Sequence, residues 1–161
     1  MLSDTDINRL ADAIVLRSAK LSKTESEKEL RNTKYLLKNY RLLANHSKID
    51  IPKLEDDVPL SKYELSLYSL LGYRARSKEM IEFINQILEE YRHVCTSGSY
   101  EQNRRYEVIS NLYINKSAVN RSKLAKRFNV DEQTIYRDER KAIDELSIML
   151  FGIDALNDMS K

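Results

Sequence analysis

Apolar residues recur along most of this chain three and four positions apart, the spacing that lays one stripe along an α-helix. Ile7, Leu10, Ala11 and Ile14 make the first stripe, widened by Val15 and Leu21. Ser3 with Asp6 marks its start, because a short hydroxyl and an acid three residues on can satisfy early N–H groups. Thr24 and Glu27 mark a second start, followed by Leu30, Leu37, Tyr40 and Ala44 with Thr33 and Leu36 beside them. These two helices suit an antiparallel hairpin that packs the first stripe, or pairing with a second copy of the chain as a homo-oligomer. Pro52 and Pro59 oppose helix at the residues before them, so 48–60 reads as a linker or an ordered loop. Ser61 and Glu64 cap a further helix bearing Tyr63, Leu67, Leu70 and Leu71, with Gly72 as its bend or end. From Ser77 a longer helix presents Met80, Ile81, Ile84, Ile87, Leu88 and Tyr91. Gly98 breaks it, Ser99 with Gln102 caps the next helix, and Tyr106, Ile109, Leu112 and Tyr113 form that helix's apolar face. The pattern predicts an all-α fold: an N-terminal helical region and linker at 1–60, central helices at 61–98 and a C-terminal unit at 99–161.

The most informative stretch is Asn120–Phe151, which reads as two helices joined by a tight turn. Leu124, Ala125, Phe128, Val130 and Ile135 point inward, and Ala125 sits where a larger side chain would force the helices apart. Asn129 occupies the turn, where positive φ is expected and Asn tolerates it best after Gly. Asp131 caps the second helix. This is the layout of a helix-turn-helix, and it points to DNA. With Ile135 at zero and about 100° per residue, Ala142 and Leu146 fall within roughly 20° of it. Gln133, Arg137 and Arg140 fall roughly 140–200° away, on the opposite face. Arg can fork to guanine and Gln can pair with adenine in a major groove, so these three are the candidate base readers. Tyr136 and Lys141 flank that face, and Arg121, Lys123 and Lys126 lie on the first helix, where all five would meet phosphates. Glu132 and Thr134, in the first turn of the second helix, complete the candidate set. Arg104 and Arg105 begin the supporting helix and are further candidates for the DNA backbone. The plainer alternative is an amphipathic helix with a solvated basic face.

Charge supports the first reading through its distribution. The net charge is only +2, but Tyr100–Lys141 holds ten Lys/Arg against six Asp/Glu. The remaining N-terminal residues are nearly balanced, sixteen basic against fifteen acidic, so the surplus is local to the proposed reading head. Three glycines and two prolines in 161 residues, with 32% charged, fit a soluble protein of packed helices. Cys95 is the one cysteine, which rules out an intrachain disulfide and fits a reducing cytoplasm. His93 beside it makes a poor metal site, and His46 is isolated. No Gly-rich phosphate loop, metal-spaced cluster or Ser/His or Cys/His pair stands out, so neither an enzyme nor a metal or cofactor is expected. Every apolar run is short and flanked by charge, so no signal peptide or membrane span is expected. The apolar tail of the reading helix, Ile143, Leu146, Met149, Leu150 and Phe151, must pack on protein, with Gly152 ending the helix.

Thr134-Ile135, then Lys141-Ala142-Ile143 and Leu146, are spaced as in the DNA-reading helix of region four of bacterial sigma factors. The wider pattern resembles phage regulators of the ArpU/RinA type from Gram-positive hosts. It includes Asn32-Thr33-Lys34 with Leu36 to Arg41, Arg105 to Ile109, Thr134 to Asp138, and Leu150 to Asp154. The resemblance covers most of the chain through short motifs. It implies a sigma-like activator of phage late genes, acting in the bacterial cytoplasm on double-stranded DNA, with host RNA polymerase as a second partner. Asp138 departs from the sigma pattern, because it lies about 60° from the buried stripe where an apolar residue is usual. An unpaired buried carboxylate is costly, so a partner is expected among Arg105, Lys126 and Arg127. Two alternatives remain: a small terminase subunit or other DNA-packaging protein, and a module that binds RNA polymerase with weak DNA binding of its own.

Overall fold

The structure is a computed structural model describing residues 4–49 and 62–160, and these form helices α1 to α6 and no strand. The expected cap at Ser3, the linker with Pro52 and Pro59, and the cap at Ser61 lie outside the described residues. So do the side chains of Ile7, Leu10, Leu21, Leu30, Leu67, Leu70 and Leu71.

Two expected breaks are absent. Helix α1 runs unbroken over Asp4–His46, so the predicted N-terminal hairpin is replaced by one helix. No Gly or Pro precedes Pro52, and a cap signature alone does not stop a helix that nothing interrupts. Ile14 and Val15, expected to pack, are 62% and 65% exposed. Helix α2 runs over Lys62–Thr96, straight through Gly72 and past Ser77. The Ser77 hydroxyl donates to the Tyr73 carbonyl at 2.9 Å, a mid-helix use of serine rather than a cap. Its buried stripe is Ile81, Ile84, Leu88, Tyr91 and Cys95, while Met80 faces solvent.

The capping box at Ser99 and Gln102 opens helix α3 (Tyr100–Ile109) as expected. Its last turn widens into a π turn over Ser110–Ile114, closed by Asn115 N–H to the Ser110 carbonyl at 2.8 Å. Arg41 of α1 donates to the freed Asn115 and Leu112 carbonyls at 2.7 and 3.1 Å, so one guanidinium caps the end of another helix. Helices α4 (Arg121–Phe128), α5 (Glu132–Phe151) and α6 (Ile153–Met159) follow.

Two cores share α3 and α5. Leu37, Ile84, Leu88, Tyr91, Ile109, Tyr113, Ala142, Ile143 and Leu146 belong to the larger one, which draws on α1, α2, α3, the π turn and α5. Val108, Leu124, Ala125 and Ile135 make the smaller one, with Phe128 and Val130 packed on it. Adjacent residues of α3 thus face different cores, Val108 the small one and Ile109 the large one. Helix α5 divides by length, its first turns in the small core and its C-terminal half in the large one. The apolar tail of α5 docks on the chain's own α1, where Ser147 Oγ donates to Thr33 Oγ1 at 2.8 Å in the interior. Gly152, at φ 64°, ends α5, and α6 folds against α1 and α5.

Leu146 is 2% exposed at the centre of the large core. Leu146→Ala is expected to lower unfolding free energy by about 2–5 kcal/mol in a denaturant titration. Ala125→Leu is expected to cost about 1–3 kcal/mol by wedging α4 from α5.

Candidate nucleic-acid interface

The turn between α4 and α5 is specified by three side chains. Asn120 opens α4 by accepting the Lys123 N–H at 2.9 Å. Asn129 closes it in the left-handed region, at φ 53° and ψ 49°. Val130 N–H bonds the Ala125 carbonyl at 3.0 Å and Asn129 N–H the Lys126 carbonyl at 3.3 Å, the paired bonds of a Schellman motif. Asp131 then accepts the Thr134 N–H at 2.7 Å and its hydroxyl at 2.8 Å. The Thr134 hydroxyl and N–H hold the Asp131 carboxyl below its ordinary pKa. The expected helix-turn-helix geometry is present, with a three-residue turn.

Helix α5 is oriented by carboxylates turned inward. Asp138 is 5% exposed, and its expected burial therefore holds. Its partner is not Arg105, Lys126 or Arg127, however, but Arg104, whose Nε donates at 2.6 Å. Arg105 instead bonds Glu145, which also accepts the Tyr91 hydroxyl at 2.6 Å. Arg127 donates to Asn111 Oδ1 at 3.1 Å. Arg104 and Arg105, each with a side chain only 10% exposed, are thus fasteners and not backbone contacts.

Glu139 is the residue that sequence reasoning missed. It is 3% exposed and receives Arg121 Nε and Nη2 at 2.7 and 2.9 Å and the Tyr113 hydroxyl, with Lys34 Nζ 3.8 Å away. One carboxylate therefore joins α1, the π turn, α4 and α5. Burial alone would raise its pKa, but the Arg121 and Tyr113 hydrogen bonds and the Arg121 and Lys34 charges outweigh it and hold it low. The same pairing raises Arg121, while burial and then the Glu139 hydrogen bond raise Tyr113. The signal was present: rotation places Glu139 about 40° from Ile135, inside the buried arc.

Arg121 is fastened to Glu139 through Nε and Nη2 and stacked over the Tyr136 ring at 4.8 Å, so those two donors are already engaged. The other candidates remain outward. Lys123 and Lys126 on α4, and Glu132, Gln133, Tyr136, Arg137, Arg140 and Lys141 on α5, are exposed, with Thr134 half-buried at the cap. Arg137 Nη2 donates to Thr134 Oγ1 at 3.2 Å, which steadies it near the start of α5. Among described residues, no cluster of His, Cys, Asp or Glu is placed to hold a metal. Nor is any described helix long and apolar enough to cross a membrane. Comparison with protein-family models, with curated proteins and with solved structures returns no match.

Glu139 titrates below an ordinary glutamate, so its stabilisation is complete above about pH 4.3 and is lost as the pH falls through the lower folded value. Glu139→Ala is expected to cost about 3 kcal/mol at pH 7 and to flatten the stability curve on its acid side. Unfolding titrations of both proteins from about pH 3 to about pH 7 check this; equal acid sensitivity would reject the assignment.

Proposed function

We propose that this chain is a sequence-specific DNA-binding transcription regulator, a sigma-like activator of phage late genes. One observation carries the reading: a helix-turn-helix in which two acids, Asp138 and Glu139, are turned inward and the outward residues are mostly bases and amides. Asp138 and Glu139 are buried and paired, while Lys123, Lys126, Arg137, Arg140 and Lys141 face solvent on the two helices, with Glu132 the exposed acid beyond the Asp131 cap. Gln133, Arg137 and Arg140 supply the amide and forked donors that read adenine and guanine edges in a major groove. Lys123, Lys126 and Lys141 supply phosphate contacts that set register and carry the salt dependence. The late-gene role and contact with host RNA polymerase rest on the motif resemblance to ArpU/RinA-type regulators and to sigma region four.

Selection of duplexes from a random pool at physiological salt is expected to recover a single motif; recovery without enrichment would reject specific readout. Against that motif, Arg137→Ala is expected to relax preference at one base pair by about 1–3 kcal/mol. Lys123→Ala is expected to weaken all duplexes alike and to lower the salt slope by about one. Titrations of selected and scrambled duplexes at several salt concentrations separate these two effects.

A further inference from the structure

The C-terminal half of α1 carries a charge pattern that the helix-turn-helix does not absorb. From Arg31 to Ile49 the sequence contains no acid, and its lysines and arginines fall at Arg31, Lys34, Lys38, Arg41 and Lys48. At about 100° per residue Lys34, Lys38 and Arg41 lie within an arc of roughly 60°, and Lys48 follows two residues past the end of α1 at His46. An ordinary solvated helix face mixes signs, so an unmixed stripe at one angle calls for an anionic counterpart.

Tertiary contacts fix where this stripe lies. Lys34 approaches Glu139, the carboxylate that also holds Arg121 at the start of α4. Arg41 is fastened to the carbonyls of Leu112 and Asn115, so α1 runs beside the loop leading into α4. That loop brings Lys116 to the same groove as Arg41 and Lys48, walled by Tyr40, Asn45 and Ile114. Lys38, Lys48 and Lys116 are exposed. The stripe therefore begins at the N-terminal end of α4, where a helix-turn-helix meets the DNA backbone, and leads away from it.

We infer that Lys38, Lys48 and Lys116 form a second phosphate-binding track, which engages the DNA backbone beyond the segment read by α5. Arg41 positions the track by tying α1 to the loop, and Lys34 joins it to the reading head through Glu139. The inference rests on the DNA-binding reading and adds a contact that the helix-turn-helix alone does not supply. From Lys34 to its end at His46 the helix advances about 18 Å, the axial length of roughly five to six base pairs.

The test uses the full chain and measures affinity for the selected and a scrambled duplex across a salt series. The triple variant Lys38→Gln, Lys48→Gln, Lys116→Gln is expected to bind both duplexes more weakly by the same factor. Its slope of log affinity against log salt is expected to fall by about 2.7, or roughly 0.9 per lost contact. Its preference for the selected duplex and its thermal midpoint are expected to stay at parental values. Trimming the duplex by about six base pairs on one flank is expected to weaken the parent and leave the triple variant unchanged. A control with two exposed α2 cations removed, Lys78→Gln with Arg92→Gln, is expected to keep the parental slope. An unchanged slope in the triple variant, with DNA still bound, overturns the track alone. An equal fall in the control also overturns it, because net charge then explains the effect. Absence of DNA binding by the parent overturns the DNA-binding reading itself, and the track with it.

Discussion

The structure depends on the pairing of carboxylates that α5 carries into the interior. A charged carboxylate taken from water without a partner costs several kcal/mol, and breaking a buried pair leaves that cost exposed. Asp138 and Glu139 meet that demand by drawing in donors from other elements, Arg104 for the first and Arg121 with Tyr113 for the second, while the part-exposed Glu145 takes Arg105 and Tyr91. Such pairs add little net stability over an apolar core, but they permit few alternatives. Rotating α5 by one residue would strand every one of these carboxylates at once.

That restriction shapes the outer face. Asp138 and Glu139 are directed inward, and they engage Arg104 and Arg121. The exposed residues left on α4 and α5 are mostly lysine, arginine and amide side chains held on rigid helices. Asn129 and Asp131 shape the turn between those helices through local backbone bonds, and Asn120 caps the start of α4. The apolar cluster of Val108, Leu124, Ala125 and Ile135 fills the space that the turn creates. Helix α5 is therefore a connector, with its outward cations near the turn and its apolar half locked into the core built with α1 and α2.

Glu139 extends this coupling beyond the two helices. Through it, the start of α4, the π turn after α3 and the middle of α1 meet at one buried carboxylate. Arg41 repeats the link a short distance away by capping the π turn from α1. The long first helix is thereby held beside the α4–α5 pair, and its acid-free basic stripe comes into line with Lys116.

Much of this was legible in local sequence. The turn residues needed only the backbone preferences of Asn and Asp, and the inward face of α5 needed only helical periodicity. Both concern atoms a few residues apart, so neighbouring side chains decide them. The burial of Asp138 was also legible, and the same rotation already contained the burial of Glu139. Helix continuity was less so: the signatures at Thr24 and Ser77 resemble starts, yet the helix continues through both, and in α2 a lone Gly72 does not break it. Partner choice belonged to the tertiary structure. Arg104 and Arg105 are adjacent and chemically identical, with long side chains that reach in different directions. Only the packing of α3 between α2 and α5 sends one to Asp138 and the other to Glu145. Likewise, the sequence by itself determined that 31–49 holds bases without acids. Only the fold decided that this run lies beside the π turn and the loop leading into α4, because the contacts that place it, Arg41 on Leu112 and Lys34 on Glu139, join residues far apart in the chain.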